Sequence, residues 1–150
     1  MPAIQPDHAT RTTPGNARRV AAVLLADTGV ASRLALKGLL SAAGYAVDSA
    51  ASAAEAIGKL DCGEYQLVLA DLRAESPEAG PRMLAYARQK EYRPATALIA
   101  SDLSEPGKPF TNDESNERIV RISDENVSYL LELAAELVGQ RARRRSRLPI

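Results

Sequence analysis

Two apolar runs in this chain end in the same way, Val23-Leu24-Leu25-Ala26-Asp27 and Leu67-Val68-Leu69-Ala70-Asp71. A run without polar alternation reads as a strand covered on both faces, the situation of central strands in a parallel sheet flanked by helices. An aspartate closing such a strand is poor core filling. In open α/β sheets the crevice beyond the strand carboxyl ends is where ligands bind, at the point where strand order reverses. The two endings therefore predict that Asp27 and Asp71 meet in one acidic pocket. The plainer alternative is a pair of unrelated aspartates, each capping the helix that follows its strand.

The rest of the chain supports alternation of strands and helices. A first strand is expected over Val20 to Ala26, then a helix from Val30 to Ala43 with Leu34, Leu36, Leu39 and Leu40 on its apolar side and Gly44 as its stop. Tyr45 to Ser49 reads as a second strand. Ser52-Ala53-Ala54-Glu55 has the form of a capping box and opens a helix that Gly63 ends. Tyr65 to Ala70 is the third strand. A loop holding Pro77, Gly80 and Pro81 then leads to a helix over Arg82 to Lys90. Ala95 to Ala100 and Arg118 to Ile122 complete the strands. Ser123 or Asp124 caps a last helix through Leu130, Leu131, Leu133, Leu137 and Val138. Such spacing implies right-handed βαβ units and a parallel sheet. One crossover is irregular: between Asp102 and Arg118, Pro106, Gly107 and Pro109 break any helix, so a loop is expected where a fourth helix belongs.

Length and composition narrow the functional classes. At 150 residues the chain can bury one real core, and its 25% charged content is that of an ordinary globular protein. No apolar run reaches membrane-spanning length and no signal pattern opens the chain, so a cytoplasmic protein is expected. One cysteine, Cys62, permits no internal disulfide and reads as a half-buried apolar side chain; the single His8 makes no metal-ligand cluster. There is no glycine-rich phosphate loop and no nucleophile–histidine set, so no enzyme is expected.

The formal net charge of zero conceals a segregation. Five of the 19 basic residues, Arg141, Arg143, Arg144, Arg145 and Arg147, lie in the last ten positions, which hold no acid. The remaining 140 residues carry 14 bases against 19 acids, a net charge of −5. Three regions follow: a disordered arm over 1–17, a folded domain over 18–139 and a basic tail over 140–150. Five arginines offer salt-sensitive contacts to nucleic-acid phosphates, but an acidic body opposes polyanions, so a solvated tail is the preferred reading.

From Val23 to about Leu84 the sequence resembles the receiver domain of two-component response regulators. The resemblance is carried in order by the strand ending at Asp27, Arg33, Leu39-Leu40, Ala43-Gly44-Tyr45, Ala50, Ala54-Glu55-Ala56 and Tyr65-Gln66-Leu67-Val68-Leu69-Ala70-Asp71-Leu72. With the later strands and last helix it covers roughly residues 19–139. It implies a flavodoxin-like three-layer sandwich around a five-stranded parallel sheet of order 2-1-3-4-5. It also implies that Asp71 is the position that accepts a phosphoryl group from a histidine kinase or phosphotransfer protein, with Mg²⁺ as cofactor.

Several positions depart from the family pattern. Receivers usually follow the first strand with two adjacent acids, and here Thr28 takes the second place beside Asp27. A neutral hydroxyl is a poor ligand for a hard cation. Asp27 and Asp71 alone then make a weak Mg²⁺ site at most. Glu75 stands where the family has proline. The family's switch hydroxyl falls on Ser101 or is lost to Ala100, and at the end of the fifth strand Arg121 replaces the usual lysine. Arginine is a planar fork suited to carboxylates rather than a compact point charge. Arg73, two residues past Asp71, is in reach of the same pocket, the alternative being a solvated loop side chain.

The receiver-like region uses nearly all of the chain and leaves no room for an output domain, so a stand-alone receiver in phosphorelay signal transduction is expected, acting by docking on an effector protein. The alternative is a pseudo-receiver, an interaction module independent of phosphorylation. Retention of Asp27 and Asp71 favours the first, while Thr28, Arg121 and the missing fourth helix favour the second.

Overall fold

A computed structural model describes residues 20–101, 119–122 and 128–147. Among them the chain alternates β1 (Ala22–Asp27), α1 (Val30–Ala42), β2 (Ala46–Ala50), α2 (Ala53–Cys62), β3 (Leu67–Asp71), α3 (Ala79–Arg88), β4 (Ala95–Ser101), β5 (Ile119–Ile122) and α4 (Tyr129–Arg147). The strands form one parallel sheet in the order β2-β1-β3-β4-β5. Strand order reverses between β1 and β3: the chain leaves β1 toward one edge and returns to its other side. The ligand-binding crevice of such a sheet lies at the carboxyl ends of those two strands.

Their apolar runs are explained by position. Every residue of β3 is buried, as is β1 from Val23 onward. Successive side chains feed opposite layers. Val23, Leu25, Leu67 and Leu69 pack under α1 and α4, against Leu36, Leu40, Leu130, Leu133 and Leu137. Leu24, Val68 and Ala70 pack under α2 and α3, against Leu60, Met83 and Leu84. Edge strand β2 alternates instead, as a strand with one open side should.

Local chemistry sets the element ends. After α1, Gly44 turns at φ 105°, a conformation cheap only for glycine, and Tyr45 N–H closes the helix by donating to the Leu40 carbonyl at 3.2 Å. Ser52 caps α2 as expected, its hydroxyl accepting from Glu55 N–H at 3.1 Å.

Several expectations need correction. The first strand begins at Ala22, and Val20 is exposed. Leu34 does not join the buried side of α1. It lies two residues from Leu36, and residues so spaced do not face the same way on a helix. The buried row is Ser32, Leu36 and Leu40. Helix α3 starts at Ala79, not Arg82, and takes in Gly80 and Pro81. The first turn of a helix has no intrahelical partners for its N–H groups, so a proline there loses nothing. Cys62, expected half-buried, is exposed at the end of α2.

The last helix continues through residues 140–147. Alanine, arginine and glutamine are good helix formers, and cations suit a helix carboxyl end. Arg141 anchors this extension by donating from Nε to the Arg93 carbonyl at 3.0 Å and from Nη2 to the Tyr92 carbonyl at 2.6 Å. The 1–17 arm, the expected loop between Asp102 and Arg118 and the expected caps Ser123 and Asp124 lie outside the described residues.

Candidate functional site

Asp27 and Asp71 are register partners at the carboxyl ends of neighbouring strands, on the two sides of the switch point. Both are buried, with relative exposures of 0% and 2%. Thr28 N–H extends the ladder by one rung, donating to the Asp71 carbonyl at 3.3 Å. The two aspartates that end the apolar runs therefore lie side by side, and neither stands at the cap of the helix that follows it: α1 has Gly29 in that position and α3 has Glu78.

Asp27 is held from three directions. Its Oδ1 accepts from Gly29 N–H at 2.9 Å and its Oδ2 from the Ser32 hydroxyl at 2.6 Å. Arg33 donates from Nη1 to the Asp27 carbonyl at 2.9 Å. Burial pushes the Asp27 carboxyl above its ordinary value of 3.8; the bonds from Ser32 and Gly29 oppose that rise, and the neighbouring Asp71 charge adds to it. The folded state holds this proton more tightly than the unfolded chain. Its contribution to stability is full below the unfolded pKa and is lost as pH rises through the folded one. Replacing Asp27 by asparagine is therefore expected to stabilise the protein at neutral pH by about 1 kcal/mol, within the range usual for a single stabilising substitution. In urea denaturation the gain should shrink to nothing in acid below the ordinary carboxylate range. An Asp27→Asn protein less stable than the parent at neutral pH would show that the charged form is the one the fold favours.

Asp71 is engaged by a fork. Arg73 donates from Nε to Asp71 Oδ1 at 2.8 Å and from Nη2 to Oδ2 at 3.0 Å, a two-bond pairing of a planar guanidinium with a carboxylate. The Arg73 side chain is only 15% exposed, so the arginine is a member of the pocket rather than a solvated loop residue. Thr28 lies half-buried beside the two acids. Ser101 ends β4 and pairs in register with Ile122, while the buried Ala100 pairs with Arg121 one step earlier; both pairs lie at the carboxyl ends of β4 and β5.

These residues do not fit a hard dication as they stand. Such a cation wants carboxylate oxygens. Here only two carboxylates are present, and the Arg73 guanidinium already compensates the charge of Asp71 through both its oxygens. Among the described residues no three His, Cys, Asp or Glu side chains gather around a point that a metal ion could take.

Ser32 is the site residue that sequence reading missed. The signal was present as a polar residue in the i, i+4, i+8 row otherwise made of Leu36 and Leu40. A hydroxyl on the core side of a helix needs a buried partner, and Asp27 is that partner.

No protein-family model matches the sequence, and no curated protein matches it. Solved structures do match. The signal receiver domain of an HD-domain-containing protein from Pseudomonas fluorescens Pf-5 superposes with a TM-score of 0.69 at 24% identity, covering 91% of this chain and 99% of that one. A response regulator receiver protein from Sinorhizobium medicae WSM419 gives 0.65 at 20% identity, over 81% of this chain and 97% of its own. A CheY-like receiver domain protein from Methanospirillum hungatei JF-1 gives 0.61 at 21%, over 81% and 97%. The sheet order, the helical layers and these superpositions agree. This chain has the flavodoxin-like fold of a response-regulator receiver domain. No helix among the described residues is long and apolar enough to cross a membrane.

Proposed function

We propose that this chain is a receiver-type signalling module that acts by docking on an effector protein, with Asp71 as a slow phosphoacceptor for a histidine kinase or phosphotransfer protein. The observation that carries this reading is the register pairing of buried Asp27 and Asp71 at the switch point of a receiver sheet. Burying two adjacent carboxylates costs stability, and functional sites are where such costs persist. Transfer of a phosphoryl group needs an Asp71 oxygen as nucleophile and positive charge near the equatorial phosphoryl oxygens. Arg73 donates to both oxygens, and a guanidinium so placed draws charge from whichever oxygen attacks and slows the step. Thr28 leaves the metal side one carboxylate short of the family pattern, so Mg²⁺ binding should be weak.

The fork itself favours a second reading. An Asp71 permanently neutralised by Arg73 would make this a pseudo-receiver that docks without phosphorylation. Intact-mass measurement after incubation with acetyl phosphate and Mg²⁺ separates the two. A slow gain of one phosphoryl group, abolished in Asp71→Asn, is expected. No gain after prolonged incubation would leave the phosphorylation-independent module as the function.

A further inference from the structure

We propose that Glu75 is a positioning residue for Asp71: it clasps the loop between β3 and α3 to the amino end of α2 and so keeps Arg73 on the Asp71 carboxylate. The inference rests on the reading of Asp71 as the functional carboxylate and adds to it what controls access to that side chain.

Residues 72–76 form a closed turn, with Glu75 N–H donating to the Leu72 carbonyl at 2.9 Å and Ser76 N–H donating to the same oxygen at 3.4 Å. Leu72 roots the turn in the core at 1% exposure. From this turn Arg73 reaches back to Asp71, while Glu75 Oε2 accepts from Ala53 N–H at 3.0 Å across 22 residues of sequence. The loop is thus tied at two places, once to the pocket and once to a helix of another βα unit.

The Ala53 anchor is specific. Helix α2 caps itself only partly. Ser52 takes the Glu55 N–H through its hydroxyl and the Ala56 N–H through its carbonyl, and Glu55 takes the Ala51 N–H at 2.8 Å. Ala53, the first residue of α2, keeps a donor pointing out of the helix end, where the backbone dipoles favour a negative partner. Glu75 supplies that charge. Arg73 and Glu75 are two residues apart in a turn closed on itself, so movement of one tie is transmitted to the other. A partner that pulls Glu75 from α2 would release Arg73 and bare Asp71; one that seats on the amino end of α2 with the clasp intact would keep Asp71 closed.

The test compares Glu75→Ala with Glu75→Gln, whose amide oxygen can still accept from Ala53. The primary readout is solvent exchange of the Arg73 Nε–H by heteronuclear NMR, which needs no phosphorylation. Loss of the clasp in Glu75→Ala is expected to speed that exchange about fivefold, the equivalent of one net hydrogen bond, with Glu75→Gln within about twofold of the parent. Labelling of Asp71 by acetyl phosphate should rise in the same order. Faster Ala53 amide exchange with unchanged Arg73 exchange would overturn the proposal and reduce Glu75 to a helix cap. Faster Arg73 exchange with no labelling in any variant would uphold the clasp while removing the phosphoacceptor reading.

Discussion

The Thr28→Asp/Arg73→Ala protein is expected to accept a phosphoryl group at Asp71 roughly 100-fold faster than the parent, since hydrogen bonds to charged groups contribute about 1.5–3 kcal/mol and each tenfold in rate takes about 1.4. Each change removes one obstacle in the pocket. Without Arg73, the two Asp71 oxygens lose the fork that holds them at 2.8 and 3.0 Å. With aspartate at position 28, a third carboxylate joins Asp27 and Asp71, and the acidic cluster then favours a dication instead of tolerating its absence. The two changes act on one cluster, so they should not be additive: the double variant should exceed the product of the singles. Stability reports on the same balance. Three neighbouring carboxylates without a guanidinium repel one another, so the melting temperature should fall in chelator and recover as Mg²⁺ is added. Titration calorimetry with Mg²⁺ and intact-mass kinetics check both parts. A double variant that labels no faster than the parent would mean that neither the fork nor the missing acid limits Asp71.

A marked loss of stability outside the pocket is expected from Gly80→Val. A β-carbon built at Gly80 would lie 2.8 Å from Leu98 Cδ2 and 3.9 Å from Ala70 Cβ, so any side chain here enters the layer between α3 and the sheet. Leu98 is buried at 2% exposure and can yield little. Overpacking of this kind costs about 1–3 kcal/mol, and the branched valine should fall at the upper end. That corresponds to a fall of roughly 5–10 °C in melting temperature for a domain of this size. Gly80→Ala should lose less, because alanine recovers up to about 1 kcal/mol of helix propensity while placing one carbon in the same space. Equal melting temperatures for Gly80→Val and the parent would show that α3 can lift from the sheet at no cost.

Gly80 also shows where local sequence misleads. Glycine and proline are the strongest punctuation in a chain, and Gly80-Pro81 reads as the end of a loop. The same residues are at ease in a first helical turn, and close approach of α3 to β4 makes glycine the residue that fits. What decides between the readings is the Leu98 methyl group, 18 positions away in sequence. Arg73 is similar. On a loop it has no periodicity to mark it as buried, and only the turn over 72–76 aims it at Asp71. The clasp from Glu75 to Ala53 has no local signature, since helix caps are sought within a few residues and this one comes from another βα unit.

The residues by themselves determined the strands of the parallel sheet and the place of its acidic pocket. A strand covered on both faces must be apolar along its length, so an aspartate ending two such strands marks the carboxyl edge of a sheet. Burial and periodicity are properties of short stretches, and a sequence displays them directly. The tertiary structure alone decided the condition of that pocket: Ser32 and Gly29 on Asp27, Arg73 on Asp71, Glu75 holding the loop. Hydrogen bonds to carboxylates depend on distances of about 3 Å and on direction, and neither is set by spacing along the chain.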